Sequence, residues 1–411
     1  MNIRFAHRMV LFVAISISLL VAVIVFPASA ETIAPIESQI QSTHQGGILR
    51  IDALDLTKDH FSAIPMKRIN DPDAPPTQFL LSDMPEYFRT GDGIALQERV
   101  KPGIIRLYTY HVPTPDDPIK KITATIENRG DKPMNFKFTR YAFPKPGGYY
   151  QVVAANAMRD FLSFNNPYPK TRTLAPGKRM ILDPNMDRVQ TKKDMLVHGW
   201  YEFEIDQPAE VAVFQTDIKD DSKTIVDRLP KLPRSLKGWS HSGSGRGTFL
   251  DSNFLSTPAD EDYVYDTAEG IKRIIVADGK TDPWITGYDQ IQRTEGQNRG
   301  HYGTIYKIRI KWKSSDKRNL ALITYSHHMK SKWCGNVGLA LGISKGEFPA
   351  GVIMAPTQKD RLTFKRYPEA VLIQRFKPDP EKEVQEFEIL FTPPGASCLP
   401  MPFALIPYDT E

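Results

Sequence analysis

Thr304-Ile305-Tyr306-Lys307-Ile308-Arg309-Ile310-Lys311-Trp312-Lys313 has a period of two. Tyr306, Ile308, Ile310 and Trp312 share one face, and Lys307, Arg309 and Lys311 the other. That is the pattern of a half-buried β-strand. A polar turn at Ser314-Ser315-Asp316 leads to a second apolar run, Leu320 to Tyr325. The same grammar recurs along the chain. Ile105, Leu107, Thr109 and His111 alternate with Arg106, Tyr108 and Tyr110. Lys121 to Asn128, the turn Arg129-Gly130-Asp131-Lys132-Pro133 and the run from Met134 to Tyr141 predict a hairpin. Tyr201, Phe203 and Ile205, a Gln207-Pro208 turn and Val211 to Phe214 predict another strand pair, and Val371-Leu372-Ile373 and Phe387-Ile389-Phe391 add later strands. Helical spacing appears at Val153, Ala157, Phe161 and Phe164, and briefly over Thr224 to Leu229. The expected fold is mainly β: two antiparallel β-sandwich-like domains with one or two short helices.

The domain plan follows from where the period stops. Residues 92–219 and 261–411 carry the two sandwiches, with 220–260 as a linker or long loop. Residues 31–91, broken by Pro65, Pro72, Pro75, Pro76 and Pro85, predict an irregular segment with one strand near Gly47 to Ile51. Before it, Arg4 and Arg8 precede an uncharged run to Phe26 and a Pro27-Ala28-Ser29-Ala30 exit, which predicts a secretory signal over 1–30. An uncleaved anchor is the alternative, and either places the rest of the chain outside the cytoplasm. Any membrane contact is then through this segment alone.

Composition narrows the function classes. With 41% hydrophobic and 25% charged residues, the 411-residue chain is neither disordered nor a multi-span membrane protein. Two cysteines exclude a disulfide miniprotein and a four-cysteine zinc module. In an oxidising compartment Cys334 and Cys398 are expected to form a disulfide, separate buried thiols being the alternative. The formal charge of +5 includes Arg4 and Arg8 and falls to +3 without them, too little to indicate nucleic acid.

The motifs give no catalytic constellation. His241-Ser242-Gly243-Ser244-Gly245-Arg246-Gly247 lacks the order of a nucleophile elbow and predicts a flexible loop. Arg129-Gly130-Asp131 is explained by its turn. Glu202, Glu204 and Asp206 share a strand face and are expected to point to solvent, as are Glu386 and Glu388. His241, His301 and the adjacent His327 and His328 lack metal-ligand spacing, so neither metal nor cofactor is expected. Two features remain as ligand-binding candidates. One is the basic stripe Lys307, Arg309 and Lys311, suited to an anionic polymer. The other is the set of loop aromatics Tyr149, Tyr150, Trp284 and Tyr288, suited to stacking on sugar rings.

Gly300-His301-Tyr302-Gly303-Thr304-Ile305-Tyr306, the Gly47-Ile48-Leu49 start, the Asn128 to Pro133 turn, Leu174-Ala175-Pro176-Gly177-Lys178 and the Pro393-Pro394 close together resemble a domain-of-unknown-function family of exported, mostly-β proteins best known from cyanobacteria. The resemblance runs along most of the chain after the signal and departs at Cys334/Cys398 and at His327-His328. It implies export and a β fold, and no activity. The expected function is non-enzymatic binding or organisation of cell-envelope material, with anionic envelope polysaccharide or another envelope protein as partner. The alternatives are an exported carbohydrate-active hydrolase using paired carboxylates and a structural subunit of an envelope assembly.

Overall fold

The computed structural model describes residues 34–52, 54, 56, 62–89, 91–113, 119–234, 243–327 and 335–409. The expected signal, Cys334 and His328 lie outside them. Short strands dominate, as the alternation requires, and four large sheets stack as two sandwich-like pairs. One pair is an eight-stranded sheet, in spatial order Thr294–Gln297, Thr286–Asp289, Arg246–Phe249, Thr77–Ser82, Gly103–His111, Val197–Ile205, Met134–Ala142 and Arg172–Leu174, over a four-stranded sheet of Gly93–Val100, Ala209–Asp217, Lys120–Asn128 and Arg179–Ile181. Leu80, Ile105, Leu107, Ile122, Ile126, Phe136, Phe203 and Val213 fill the space between them. The other pair sets a seven-stranded sheet around Ile305–Lys313 and Gln385–Phe391 against a five-stranded sheet around Asn319–Tyr325 and Glu369–Phe376. Ile308, Ile310, Trp312, Leu322, Ile373 and Phe387 form its core.

The predicted hairpins are not hairpins. Lys120–Asn128 lies in the four-stranded sheet and Met134–Ala142 in the eight-stranded one. The turn at Arg129 to Pro133 therefore carries the chain across the sandwich. Val197–Ile205 and Ala209–Asp217 divide in the same way, as do Ile305–Lys313 and Asn319–Tyr325. A short polar turn between two apolar strands suits either connection, because each strand still presents one face to the same core. Nor are the sheets wholly antiparallel: Thr77–Ser82 runs parallel to Gly103–His111, and Asn253–Pro258 parallel to Ile305–Lys313.

Segment 31–91 is not irregular. It supplies Ile48–Arg50 and Met66–Asn70 at sheet edges and Thr77–Ser82 inside the eight-stranded sheet. Buried along nearly its whole length, Thr77–Ser82 shows the continuous apolar run Phe79-Leu80-Leu81 instead of alternation, so no period of two announces it. Segment 220–260 likewise contributes the strands Arg246–Phe249 and Asn253–Pro258. Residues Pro35–Glu411 form one contact unit.

One consequence places the site. The outer face of the eight-stranded sheet is also buried. Helix Tyr150–Leu162 lies on it, its Phe161 ring parallel to Trp200 at 3.9 Å, and the apolar cluster containing the second sandwich's core continues onto Tyr108, Tyr110 and Trp200. Glu202, expected in solvent, is instead buried on that face. Arg106 Nη2 donates to it at 2.8 Å, and Arg140 lies 3.4 Å away. Glu204 and Asp206, farther along the strand, are exposed as expected.

Candidate functional site

Strand Thr77–Ser82 ends in Asp83-Met84-Pro85-Glu86-Tyr87, which bulges and then pairs again with Val112, just past the neighbouring strand Gly103–His111. Two contacts fix this turn. His111, fully buried at the end of the neighbouring strand, donates Nδ1–H to the Pro85 carbonyl at 2.9 Å and accepts the Ser82 hydroxyl on Nε2 at 2.7 Å. Burial pushes this imidazole down to about 3, so it stays neutral and holds one tautomer. On the other side, Asp83 donates its backbone N–H to Gly245, and its Oδ2 accepts both the backbone N–H and the hydroxyl of Ser244. Gly243 permits that approach. It has φ +104, and a Cβ there would sit 1.5 Å from the Asp83 carbonyl oxygen. Ser244, expected in a flexible loop, is thus buried and committed.

Asp83 Oδ1 has no hydrogen-bond partner, and no described residue donates to the Glu86 carboxylate. Burial raises Asp83 well above the ordinary carboxylate range, and the Glu86 charge raises it further. Burial likewise raises Glu86 to about 7, although Arg89, stacked over the Tyr87 ring at 4.6 Å, works the other way. At neutral pH Glu86 is therefore divided between its two forms.

Tyrosines surround the pair. Tyr108 and Tyr110 project from one face of strand Gly103–His111, their rings parallel and 6.4 Å apart. Tyr302 reaches in from the Gly300–Gly303 turn and donates to the Ser397 carbonyl at 3.0 Å. Burial raises all three hydroxyls, and the Asp83 and Glu86 charges raise them further. Half-buried Tyr87 and Tyr150 stand at the rim. Behind Tyr108 and Tyr110 lies His198, also fully buried. Its Nδ1–H donates to the Thr109 carbonyl at 2.7 Å, its ring meets Tyr108 edge-on at 4.6 Å, and its Nε2 has no donor. Burial pushes His198 down to about 4, so that nitrogen keeps its lone pair. The turn at Pro394 to Ser397 covers the cluster: a Cβ on Gly395 would stand 3.0 Å from the Tyr108 hydroxyl.

The predicted site residues divide. Tyr150 joins this cluster. Tyr149, its neighbour, is 80% exposed. Trp284 packs edge-on against His301 at 5.1 Å, and Tyr288 lies exposed on strand Thr286–Asp289. The basic stripe shares one face, as its spacing requires, but that face is neutralised. Lys307 pairs with Asp71 at 2.7 Å and Asp73 at 3.6 Å, Arg309 pairs with Glu388 at 2.8 Å and Glu386 at 3.4 Å, and Lys311 stands opposite Glu386 across the ladder. Cys398 is described and its expected partner is not. Among the described residues no three His, Cys, Asp or Glu side chains are grouped to hold a metal ion, and no described helix is long and apolar enough to cross a membrane.

Sequence reasoning passed over Asp83, Glu86, Tyr87, Tyr108, Tyr110, His198, Ser244 and Tyr302. A usable signal existed in Asp83-Met84-Pro85-Glu86-Tyr87: two acids three residues apart, directly after an apolar strand.

No protein-family model matches the chain, and no curated protein sequence matches it. Solved structures that align with it include the CUB1-EGF-CUB2 domain of human MASP-1/3 (7% identity, 76% of this chain and 99% of that chain, TM-score 0.17). Others are an oxalate decarboxylase–formate complex from Lactobacillus farciminis (8%, 83% and 88%, TM-score 0.13) and a salicylate 1,2-dioxygenase from Pseudaminobacter salicylatoxidans (10%, 76% and 72%, TM-score 0.11). At these TM-scores the likenesses carry no conclusion about fold or function.

Proposed function

We propose that the protein is an exported, non-enzymatic binder of cell-envelope polysaccharide, and that it holds the polymer at the carboxyl–tyrosine cluster instead of on the basic stripe. Export is proposed on the signal-like residues 1–30, and the Cys334–Cys398 disulfide and kinship with the exported family belong to the same proposal. The carrying observation is the pairing of a buried and a half-buried carboxyl group, incompletely satisfied among the described residues, with five tyrosines whose rim is half open. Aromatic faces pack on the C–H faces of sugars, and unsatisfied acids exchange hydrogen bonds with sugar hydroxyls. The stripe has no comparable claim, because its two paired cations already have carboxylate partners.

The test is co-sedimentation of the protein with polysaccharide and membrane fractions of its host at low and high salt. Binding is expected to resist salt, to fall at least about tenfold in a Tyr87→Ala/Tyr150→Ala variant, and to survive Lys307→Ala/Arg309→Ala/Lys311→Ala. Binding that follows the stripe variant instead, or no binding to any fraction, overturns the proposal.

A hydrolase is the second reading, favoured by the raised pKa values of Asp83 and Glu86. Both acids come from one turn, whereas glycosidases flank the scissile bond with two carboxyl groups. Release of new reducing ends from the bound polymer, lost in Glu86→Gln, would establish it over simple binding.

A further inference from the structure

Five tyrosines beside two acids fit any sugar, but the acids are unusual in what they lack. Buried carboxylates are ordinarily paired with a cation or saturated by hydrogen bonds, and elsewhere in this protein they are. Glu202 has Arg106, and Asp289 has both Arg246 and Arg234. Among the described residues neither Asp83 nor Glu86 has an ion-pair partner. Arg89 is turned onto the Tyr87 ring, Asp83 Oδ1 is empty-handed in a residue 6% exposed, and behind the tyrosines the buried His198 Nε2 is a second acceptor without a donor. With Nδ1 tied back to its own sheet, the far end of the His198 ring faces Tyr108 and Tyr110. Among the described residues the two acids thus lie beside tyrosine rings, which themselves attract cations, with no Lys or Arg ion-paired to either.

We infer that the polysaccharide held by this cluster carries protonated amino sugars, whose ammonium groups are taken by Asp83 and Glu86 while the sugar rings lie on the tyrosines. This rests on the polysaccharide-binding proposal and names the ligand class within it. The partner is then cationic, opposite in sign to the anionic polymer that the basic stripe suggested. An ammonium offers three N–H donors, which Asp83 Oδ1 and the Glu86 carboxylate can accept. It also ionises the carboxyl groups it meets. Below about pH 7 binding should expel a proton, because a cation beside Glu86 lowers the pKa that burial has raised to about 7.

The experiment is isothermal titration of the full protein with glucosamine oligomers and with N-acetylglucosamine oligomers of equal length, in two buffers of different ionisation enthalpy. Free-amine oligomers are expected to bind at least about tenfold more tightly than acetylated ones, with net proton release in acidic buffer. Glu86→Gln should abolish both the preference and the proton release. Glu86→Asp should keep part of the preference. Thermal unfolding of each variant separates misfolding from lost recognition. Equal affinity for both oligomers, tighter binding of the acetylated one, or heat of binding independent of buffer overturns the inference and leaves polysaccharide binding standing. Failure of every host fraction to bind in the co-sedimentation removes the underlying proposal as well.

Discussion

His301 and Tyr302 are neighbours in one turn, yet they belong to two buried polar clusters of opposite character. His301, at φ +52 between two glycines, enters a closed network. Its Nε2 accepts the Ile285 N–H at 3.0 Å, its Nδ1–H donates to the Tyr306 hydroxyl, and Tyr306 donates to Asp282 at 2.6 Å. Arg68 forms an ion pair with Asp282, which also accepts the Ala277 N–H at 2.8 Å. Burial works to raise Asp282, but the nearby His301 ring, the hydrogen bond from Tyr306 and the Arg68 charge hold it below the ordinary carboxylate value. Tyr302 enters the Asp83–Glu86 cluster, where burial meets no opposing cation of similar strength and the acids move up. The two clusters share residue types and depth. They differ in completeness. A finished network fixes the Met66–Asn70 edge strand to the Gly300–Gly303 turn, whereas an unfinished one has capacity left for a ligand.

The largest effect expected from this contrast is at Arg68. Arg68→Ala leaves the Asp282 charge buried without its cation and should cost about 3–5 kcal/mol, read as a lower urea midpoint. A loss under about 1 kcal/mol would mean that the closed network is no tighter than the open one. The Asp282 contribution should be present above about pH 4 and disappear as the pH falls through its depressed folded value.

The open cluster should respond to pH with the opposite sign. Glu86 is raised from 4.5 to about 7 on folding. Its contribution is whole below the unfolded value and is lost as the pH rises through about 7. Glu86→Gln should therefore gain about 2–3 kcal/mol relative to the parent between about pH 4.5 and pH 8. A pH-independent difference between the two proteins would show that Glu86 is solvated like a surface acid.

The smallest effect belongs to the stripe, whose ion pairs are half exposed. Lys307→Ala and Arg309→Ala should each change stability by less than about 1 kcal/mol, with the difference shrinking in salt. A larger, salt-resistant loss would place these pairs nearer in kind to Arg68–Asp282.

What could be read in advance follows from what alternation encodes. It places Tyr306, Ile308, Ile310 and Trp312 on one face and Lys307, Arg309 and Lys311 on the other, and the structure has both faces as read. Helical spacing likewise found Val153, Ala157 and Phe161 on the buried side of Tyr150–Leu162. The same reasoning misjudged Glu202, because it takes the polar face of a strand to be wet. In the eight-stranded sheet that face is covered by a helix and by the second sandwich's apolar cluster. Alternation also says nothing of partners, so strands bound for facing sheets looked like hairpins. It misses a strand buried on both faces, and Thr77–Ser82 is the one that delivers Asp83.

The sequence by itself determined the mainly β character, the helix and the shared face of the basic stripe, because each is a property of residues within a few positions of one another. Only the tertiary structure decided that the stripe is neutralised and that Asp83 and Glu86 meet a group of tyrosines. Asp71 reaches Lys307 from 236 positions away, and Ser244 reaches Asp83 from 161. Charge pairing and desolvation act through space at a few ångströms. No local pattern records which distant chain segment will bring the partner.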